Sequence, residues 1–371
     1  MTVEQVDVVA LFPSPSGEPG EYLTLLREAL EEAGVRCAQA SALTPAWARH
    51  HSRAVEVVHL HWLEFIAPSD SSRFVGAAKS ARRAVRLRQA LRRLQRSGVS
   101  VVWTVHNLAP HEPVHLRIER WLQRVVLAMA DAAIVHSEHA RAQVANSLGH
   151  ARKLHVVPHG NYLGAYPPAA QSSAAQRRAL GLADEAFVYL SFGQVRAYKR
   201  LPDLLDAFRS LPDENIALLI AGEPRDPQEA ARVRAKATQD SRVVLDLRRI
   251  PVGEVAVLHG LADAAVFPYH EMFSSGSVLL AISRGLPVIV PSGSAGAELA
   301  APPAIAPIGI DGTAAALRAV RRGDRRVRRQ TALTAAARFD WKTVGNQTAR
   351  VYRLARQQRA GQRLAPGTFC R

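Results

Sequence analysis

The tightest constraint on this chain is a succession of short apolar runs, each closed by polar residues and followed by a helical pattern. VDVVALF (6–12), VEVVHLHWL (55–63), VSVVWTVHN (99–107), AAIVHS (132–137) and LHVVPHGNY (154–162) carry it through the first half. FVYLSFG (187–193), IALLIAG (216–222) and VVLDLRR (243–249) restart it in the second. Strands this rich in Val, Ile and Leu are covered on both faces, which means parallel sheets with crossover helices. In such sheets the functional residues lie at the carboxyl ends of the strands. His61, His106, His111, His136, His139 and His159 all fall at or just past a predicted strand exit. The Pro/Ala/Ser-rich join PPAAQSSAAQRRALGLAD (167–184) interrupts the alternation and marks a boundary. The expected fold is therefore α/β, with two Rossmann-like domains facing each other across a cleft. Residues 1–165 form the first domain, 166–185 the linker and 186–345 the second. Residues 346–371 form a C-terminal helix and tail, a candidate for crossing back to the N-terminal domain.

A chain of 371 residues with 48% apolar content is long enough for two such cores. It contains no run of 18 uncharged apolar residues, and MTVEQVDVVALF has acids where a signal peptide would have basic residues, so a cytoplasmic protein is expected. Two cysteines, Cys37 and Cys370, stand far apart without metal-ligand spacing. No metal site is indicated. The 48 basic and 32 acidic residues leave a net charge of +16, a field that attracts phosphorylated substrates, polyanions or anionic lipid surfaces. Much of it sits between Ser72 and Arg96, where nine basic residues occur without one acid. Phe74, Ala78, Ala81, Val85, Leu91 and Leu94 recur there at helical spacing. Such a helix can lie on an anionic membrane or serve as an ordinary crossover, and the pattern leaves both open. No helix-turn-helix, RRM or zinc pattern points to specific nucleic acid.

The stretch VFPYHEMFSSGSVLLAISRGLPVIVP (266–291) reads as strand, polar loop, short buried helix and strand. Ser275, Gly276 and Ser277 precede the helix, whose free N–H groups and dipole favour a phosphate. Gly17 and Gly20 follow the first strand but match neither GxGxxG nor a P-loop.

Taken with VVWTVHNLAPHE, FGQVRAYKRLPDLL, IAGEPRD and FDWKTVGNQTARVYRLA, in that order and spacing, the chain resembles the two-domain GT-B glycosyltransferases of the family 4 type, bacterial mannosyl- and glucosyltransferases among them. The resemblance covers nearly the whole chain. It implies a nucleotide-sugar co-substrate, donor binding in the second domain, acceptor binding in the first, and neither cofactor nor metal. The family's G-R-x4-K-G motif falls on Gly193 to Arg200, with Lys199 at its lysine, Gln194 at its arginine and Arg196 as substitute. Donor contacts are thereby assigned to Gly193, Arg196, Lys199, Glu223, His270, Glu271, Ser275, Gly276 and Ser277. The family's Glu-x7-Glu positions hold Met272 and Leu280, so the usual ribose contact is missing and inversion and retention of the anomeric centre both stay open.

His106 is the expected acceptor base, with an ordinary histidine titration near pH 6.5, and His111 and Glu112 are its alternatives. Gly17, Gly20, His61, Asn107 and His136 are expected around the acceptor, a hydroxyl compound that can be lipid-linked at the inner face of the membrane. Two rival functions remain at this level: a nucleotide-sugar 2-epimerase on the same fold, and a non-catalytic binder of anionic glycolipid or nucleic acid.

Overall fold

The structure is a computed structural model in which residues 8–12, 21–39, 43–69, 75–108, 114–166, 173–183, 185–270, 272–274 and 276–364 are described. Gly17, Gly20, Arg73, Phe74, His111, Glu112, Glu271 and Ser275 lie outside the described residues. The chain divides into two compact units, one of residues 1–160 with 341–371 and one of residues 161–340.

The first unit is built on six parallel strands: β1 (Val8–Phe12), β2 (Arg36–Gln39), β3 (Val57–Leu60), β4 (Ser100–Thr104), β5 (Ala132–Val135) and β6 (Leu154–Val156). Their spatial order is β2-β1-β3-β4-β5-β6, so the order reverses between β1 and β3. Every residue of β3, β4 and β5 is buried, as the unbroken apolar runs require. The strand RCAQ of β2 carries no such run and owes its place to pairing with β1, Val9 opposite Cys37.

The second unit holds β7 (Phe187–Phe192), β8 (Ile216–Ala221), β9 (Val243–Asp246), β10 (Ala264–Val266), β11 (Val288–Pro291) and β12 (Ile305–Ile308). Their order, β12-β11-β10-β7-β8-β9, reverses between β7 and β10. This is the 3-2-1-4-5-6 arrangement of dinucleotide folds, whereas the first sheet follows the flavodoxin-like pattern. The two domains are both doubly wound and differ in strand order.

The last helix, Trp341–Leu364, belongs to the first unit although 180 residues of the other unit, 161–340, precede it. It packs on the helix Glu21–Glu32 at backbone distance: a Cβ on Gly345 would stand 2.3 Å from the Ala29 carbonyl oxygen. Arg359 reaches Asp131 at 2.5 Å and Arg356 reaches Glu56 at 3.1 Å, pinning the helix to the sheet. Asp131 also accepts the Val101 amide at 2.8 Å, so one buried carboxylate holds two strands and a helix together.

The basic helix spans Gly76–Arg96 and corrects the expected apolar stripe. Its buried face is Gly76, Ser80, Ala84, Leu87, Leu91 and Leu94, with Ala90, at steps of three and four. Val85 points outward, 42% exposed. Leu91 and Leu94 of the expected stripe are buried with Leu87, while in the first half of the helix small residues at 76, 80 and 84 form the inner face. Lys79, Arg82, Arg83, Arg86, Arg92, Arg93 and Arg96 are all exposed.

Candidate functional site

At the carboxyl edge of the first sheet the strand exits bring His61 (β3), His106 (β4), His136 (β5) and His159 (β6) around one aromatic hub, Tyr22, with His59 of β3 packed on His61. The Tyr22 ring lies 4.6 Å from His159, 5.2 Å from His106, 5.8 Å from His61 and 5.9 Å from His136, centre to centre. Trp341 of the last helix joins at 5.7 Å. Gly160 makes room for it, since a Cβ there would meet the indole at 2.3 Å. Neither Tyr22 nor Trp341 is marked by sequence, because an aromatic on an amphipathic helix looks like ordinary core.

The imidazoles are held in defined ways. His59 bonds Tyr352 and Thr104, each at 2.7 Å. His136 donates Nδ1–H to the Val157 carbonyl at 3.0 Å and His159 donates Nδ1–H to the Gly160 carbonyl at 2.7 Å. A neutral ring that donates through Nδ1 keeps its lone pair on Nε2. The Nε2 of His136 is buried and unpartnered, and so is that of His61. His61 Nδ1 and His106 Nε2 share one hydrogen bond at 3.0 Å, and Trp62 stacks on His106 at 4.2 Å. His106 is half-buried, while His61 beneath it is 1% exposed. Asn107 donates to Glu64 at 3.3 Å. His139 lies on the helix that follows β5.

Burial dominates the electrostatics here. It pushes His59 and His159 down to about 3 and His136 to about 4, and holds His61 and His106 well below 6.5, neighbouring imidazoles adding to the effect at His59, His61, His106 and His159. The ordinary titration expected of His106 is thereby corrected: the whole cluster is neutral at pH 7. Among the described residues no group of three or more His, Cys, Asp or Glu is arranged to hold a metal ion.

The carboxyl edge of the second sheet has the opposite character. The β7 exit carries Gly193 at φ +112, where a Cβ would stand 2.8 Å from Lys199 Nζ and 3.8 Å from Ser277 Oγ. Gly222 at the β8 exit has φ +149, and a Cβ there would strike the Gly193 carbonyl at 2.2 Å. The pairing continues past the strands, from Val195 N–H to the Glu223 carbonyl at 2.9 Å. The two exits are thus clamped together by glycines, and the turn Ala197–Lys199 folds its lysine back over them.

Lys199 is 5% exposed, and no carboxylate among the described residues pairs with it. Its Nζ lies 5.3 Å from the Tyr269 ring centre, and Tyr269 shares a hydrogen bond with the Ser277 side chain. Burial, and then the charge of Arg196, pull the ammonium down to about 7. Gly276 and Ser277 open the helix Gly276–Ser283, as the loop composition implies. Arg196 is held by Gln194 at 3.1 Å. Glu223 is ion-paired with Arg225 at 2.9 Å and His270 is exposed, and neither is brought to the lysine by any contact seen here. Met272 and Leu280, 3% and 5% exposed, pack into the core where the family has carboxylates.

Residues 172–302 match the family model described as Glycosyl transferases group 1. A curated GDP-mannose:glycolipid 4-beta-D-mannosyltransferase of Xanthomonas campestris pv. campestris is 29% identical over 298 residues, 80% of this chain and 76% of that protein. Sucrose-phosphate synthase from Thermosynechococcus elongatus shares the fold with a TM-score of 0.70 at 19% identity, over 94% of this chain and 98% of that one. HepE of Anabaena, solved with UDP and glucose, gives 0.66 at 16% identity over 93% and 98%. The likenesses show the GT-B fold, as two parallel-sheet α/β units.

Proposed function

We propose that this chain, whose residues 172–302 match the group 1 glycosyl transferase model within a GT-B scaffold, transfers mannose from GDP-mannose to a glycolipid hydroxyl. The observation that carries the reading is Lys199, a buried cation that pairs with no carboxylate among the described residues and lies beside two glycines and a serine-bearing helix start. An isolated charge is costly to bury, so the site is organised for an anion that arrives with the substrate. Lys199 and Arg196 take up the charge that develops on the diphosphate as the bond to the anomeric carbon breaks and its electron pair leaves with the phosphate oxygen. They supply this charge without a metal. The mannosyltransferase relative supports the choice of guanosine donor and glycolipid acceptor.

The acceptor oxygen forms the new bond to the anomeric carbon and gives its proton to His106. Two tautomers satisfy the His61–His106 hydrogen bond, and only the one in which His106 donates through Nε2 leaves Nδ1 as the base. The imidazolium that forms is supported by His61 on one side and by the Trp62 face on the other.

In this reading the exposed arginines of Gly76–Arg96 lie on an anionic bilayer at the cytoplasmic face, each worth about 1 kcal/mol near the surface. No described helix is long and apolar enough to cross a membrane. Changing Arg82, Arg83 and Arg86 to Glu should abolish co-sedimentation with phosphatidylglycerol vesicles. Wild-type protein that ignores such vesicles at low salt removes this contact.

The test of the activity is release of nucleoside diphosphate from GDP-mannose and UDP-glucose, with and without a set of alkyl and polyprenyl glycosides. Acceptor-dependent release of GDP is expected. A donor sugar altered without acceptor would make the protein an epimerase, and absence of release with every pair would make it a binder.

A further inference from the structure

We propose that the first unit holds a saccharide-binding pocket beside the histidine cluster, between the short helix Leu63–Ile66 and the helix Leu116–Met129, that grips neutral sugar hydroxyls through Glu119 and Gln123. It rests on the transferase reading only in identifying that sugar with the acceptor.

The cavity measures about 200 Å³, and its lining includes Leu63, Glu64, Ala67, Glu119, Leu122 and Gln123. An engineered cavity of about 150 Å³ takes a benzene ring, so a six-membered pyranose is of suitable size. Two of its polar atoms are buried without partners, Glu119 Oε2 and Gln123 Oε1. Gln123 is itself only 6% exposed. The other Glu119 oxygen is saturated: Oε1 accepts Ser69 Oγ at 2.5 Å, His115 N–H at 3.2 Å and Val114 N–H at 3.3 Å. The carboxylate is therefore fixed in place with one oxygen left over. Leaving a buried acceptor unmet costs about 1–3 kcal/mol, a deficit that a ligand bearing donors removes.

The chemistry of the lining selects the ligand. Both unpartnered atoms accept, so the ligand must donate. Two carboxylates, Glu64 and Glu119, repel a phosphate or a uronic acid. Leu63, Ala67 and Leu122 suit the C–H face of a sugar better than a hydrated ammonium. Position supplies the link to the reaction: Leu63 follows Trp62, whose indole stacks on His106, and Glu64 accepts from Asn107, the residue after His106. The cavity is thus joined to the proposed base through the Trp62 stack and the Glu64–Asn107 hydrogen bond.

Octyl β-glucoside below its micellar concentration and glucose 6-phosphate are the probes, followed by saturation-transfer NMR. The wild type is expected to bind the glucoside through its ring protons and to ignore the phosphate ester. Gln123→Leu and Glu119→Gln, which keeps Oε1 as acceptor for Ser69 and the two amides, should each weaken the glucoside at least tenfold. Gln123→Leu should melt no lower than wild type, because it removes an unmet acceptor. Unchanged glucoside affinity in a folded variant, preference for glucose 6-phosphate, or no saturation transfer in the wild type overturns the pocket. Nucleoside diphosphate release is read in parallel. Glucoside binding lost in the variants of a protein that never turns over a donor keeps the pocket and overturns the transferase reading.

Discussion

The carboxyl edges of the two sheets both bury titratable side chains, and burial acts on them to different effect. At the first edge five imidazoles give up their charge, because an imidazole loses its proton at modest cost near neutral pH. What remains is a neutral, aromatic surface with a lone pair on His136 Nε2 and hydrogen bonds among the rings. At the second edge Lys199 is pulled down only to about 7, so a substantial part of it stays charged and waits for an anion. The difference separates hydroxyl chemistry from phosphate chemistry by residue type. Burial is common to both, and the intrinsic pKa of the buried group decides the outcome.

The sharpest way to break this division is at His106. His106→Ala should lower kcat by 10²- to 10⁴-fold, roughly 3–5 kcal/mol, in a transfer assay and leave diphosphate affinity at the wild-type value. Loss of diphosphate binding with kcat intact would move the residue to the donor side and end the contrast. The pH profile sharpens the point. A base must be deprotonated to act, so activity falls as pH drops through its pKa. Because burial holds His106 well below 6.5, that acid limb should lie below the ordinary histidine range.

Lys199→Met tests the other edge with a smaller effect. Diphosphate affinity should drop about 100-fold, near 2.7 kcal/mol, by calorimetry, while nucleoside affinity changes little. The free protein should become more stable. With a folded pKa of about 7 and an unfolded value near 10.4, the unfolded chain binds the extra proton between those limits. Wild-type stability therefore gains from this group as pH rises from about 7 to about 10, and the variant should lack that gain in urea titrations. Equal loss of nucleoside and diphosphate, or a variant that melts lower at pH 8, would show Lys199 to be a packing residue.

How much of this was legible beforehand follows from what each signal depends on. The doubly wound class was readable because a parallel strand buried on both faces is predominantly apolar, throughout in β5 and β8 and with His59, Ser100 and Thr104 as the exceptions in β3 and β4. β2 and β12 escaped, since RCAQ and IAPI are edge segments whose pairing partners, more than their composition, make them strands. Lys199 was found by motif spacing, and its burial without a paired carboxylate among the described residues was not, because charge compensation depends on which residues fold around it. His61, His106, His136 and His159 at strand exits were visible one by one. Their convergence on Tyr22, the shared hydrogen bond of His61 and His106 and the depressed titration depend on contacts between strands far apart in the chain. Glu119 and Gln123 looked like the polar face of an amphipathic helix. Only the packing of Leu63–Ile66 against that helix leaves their oxygens buried and unmet. Local periodicity is written into consecutive residues and so determined the secondary structure and fold class, whereas desolvation, tautomer and cavity arise between distant segments and were decided by the tertiary structure.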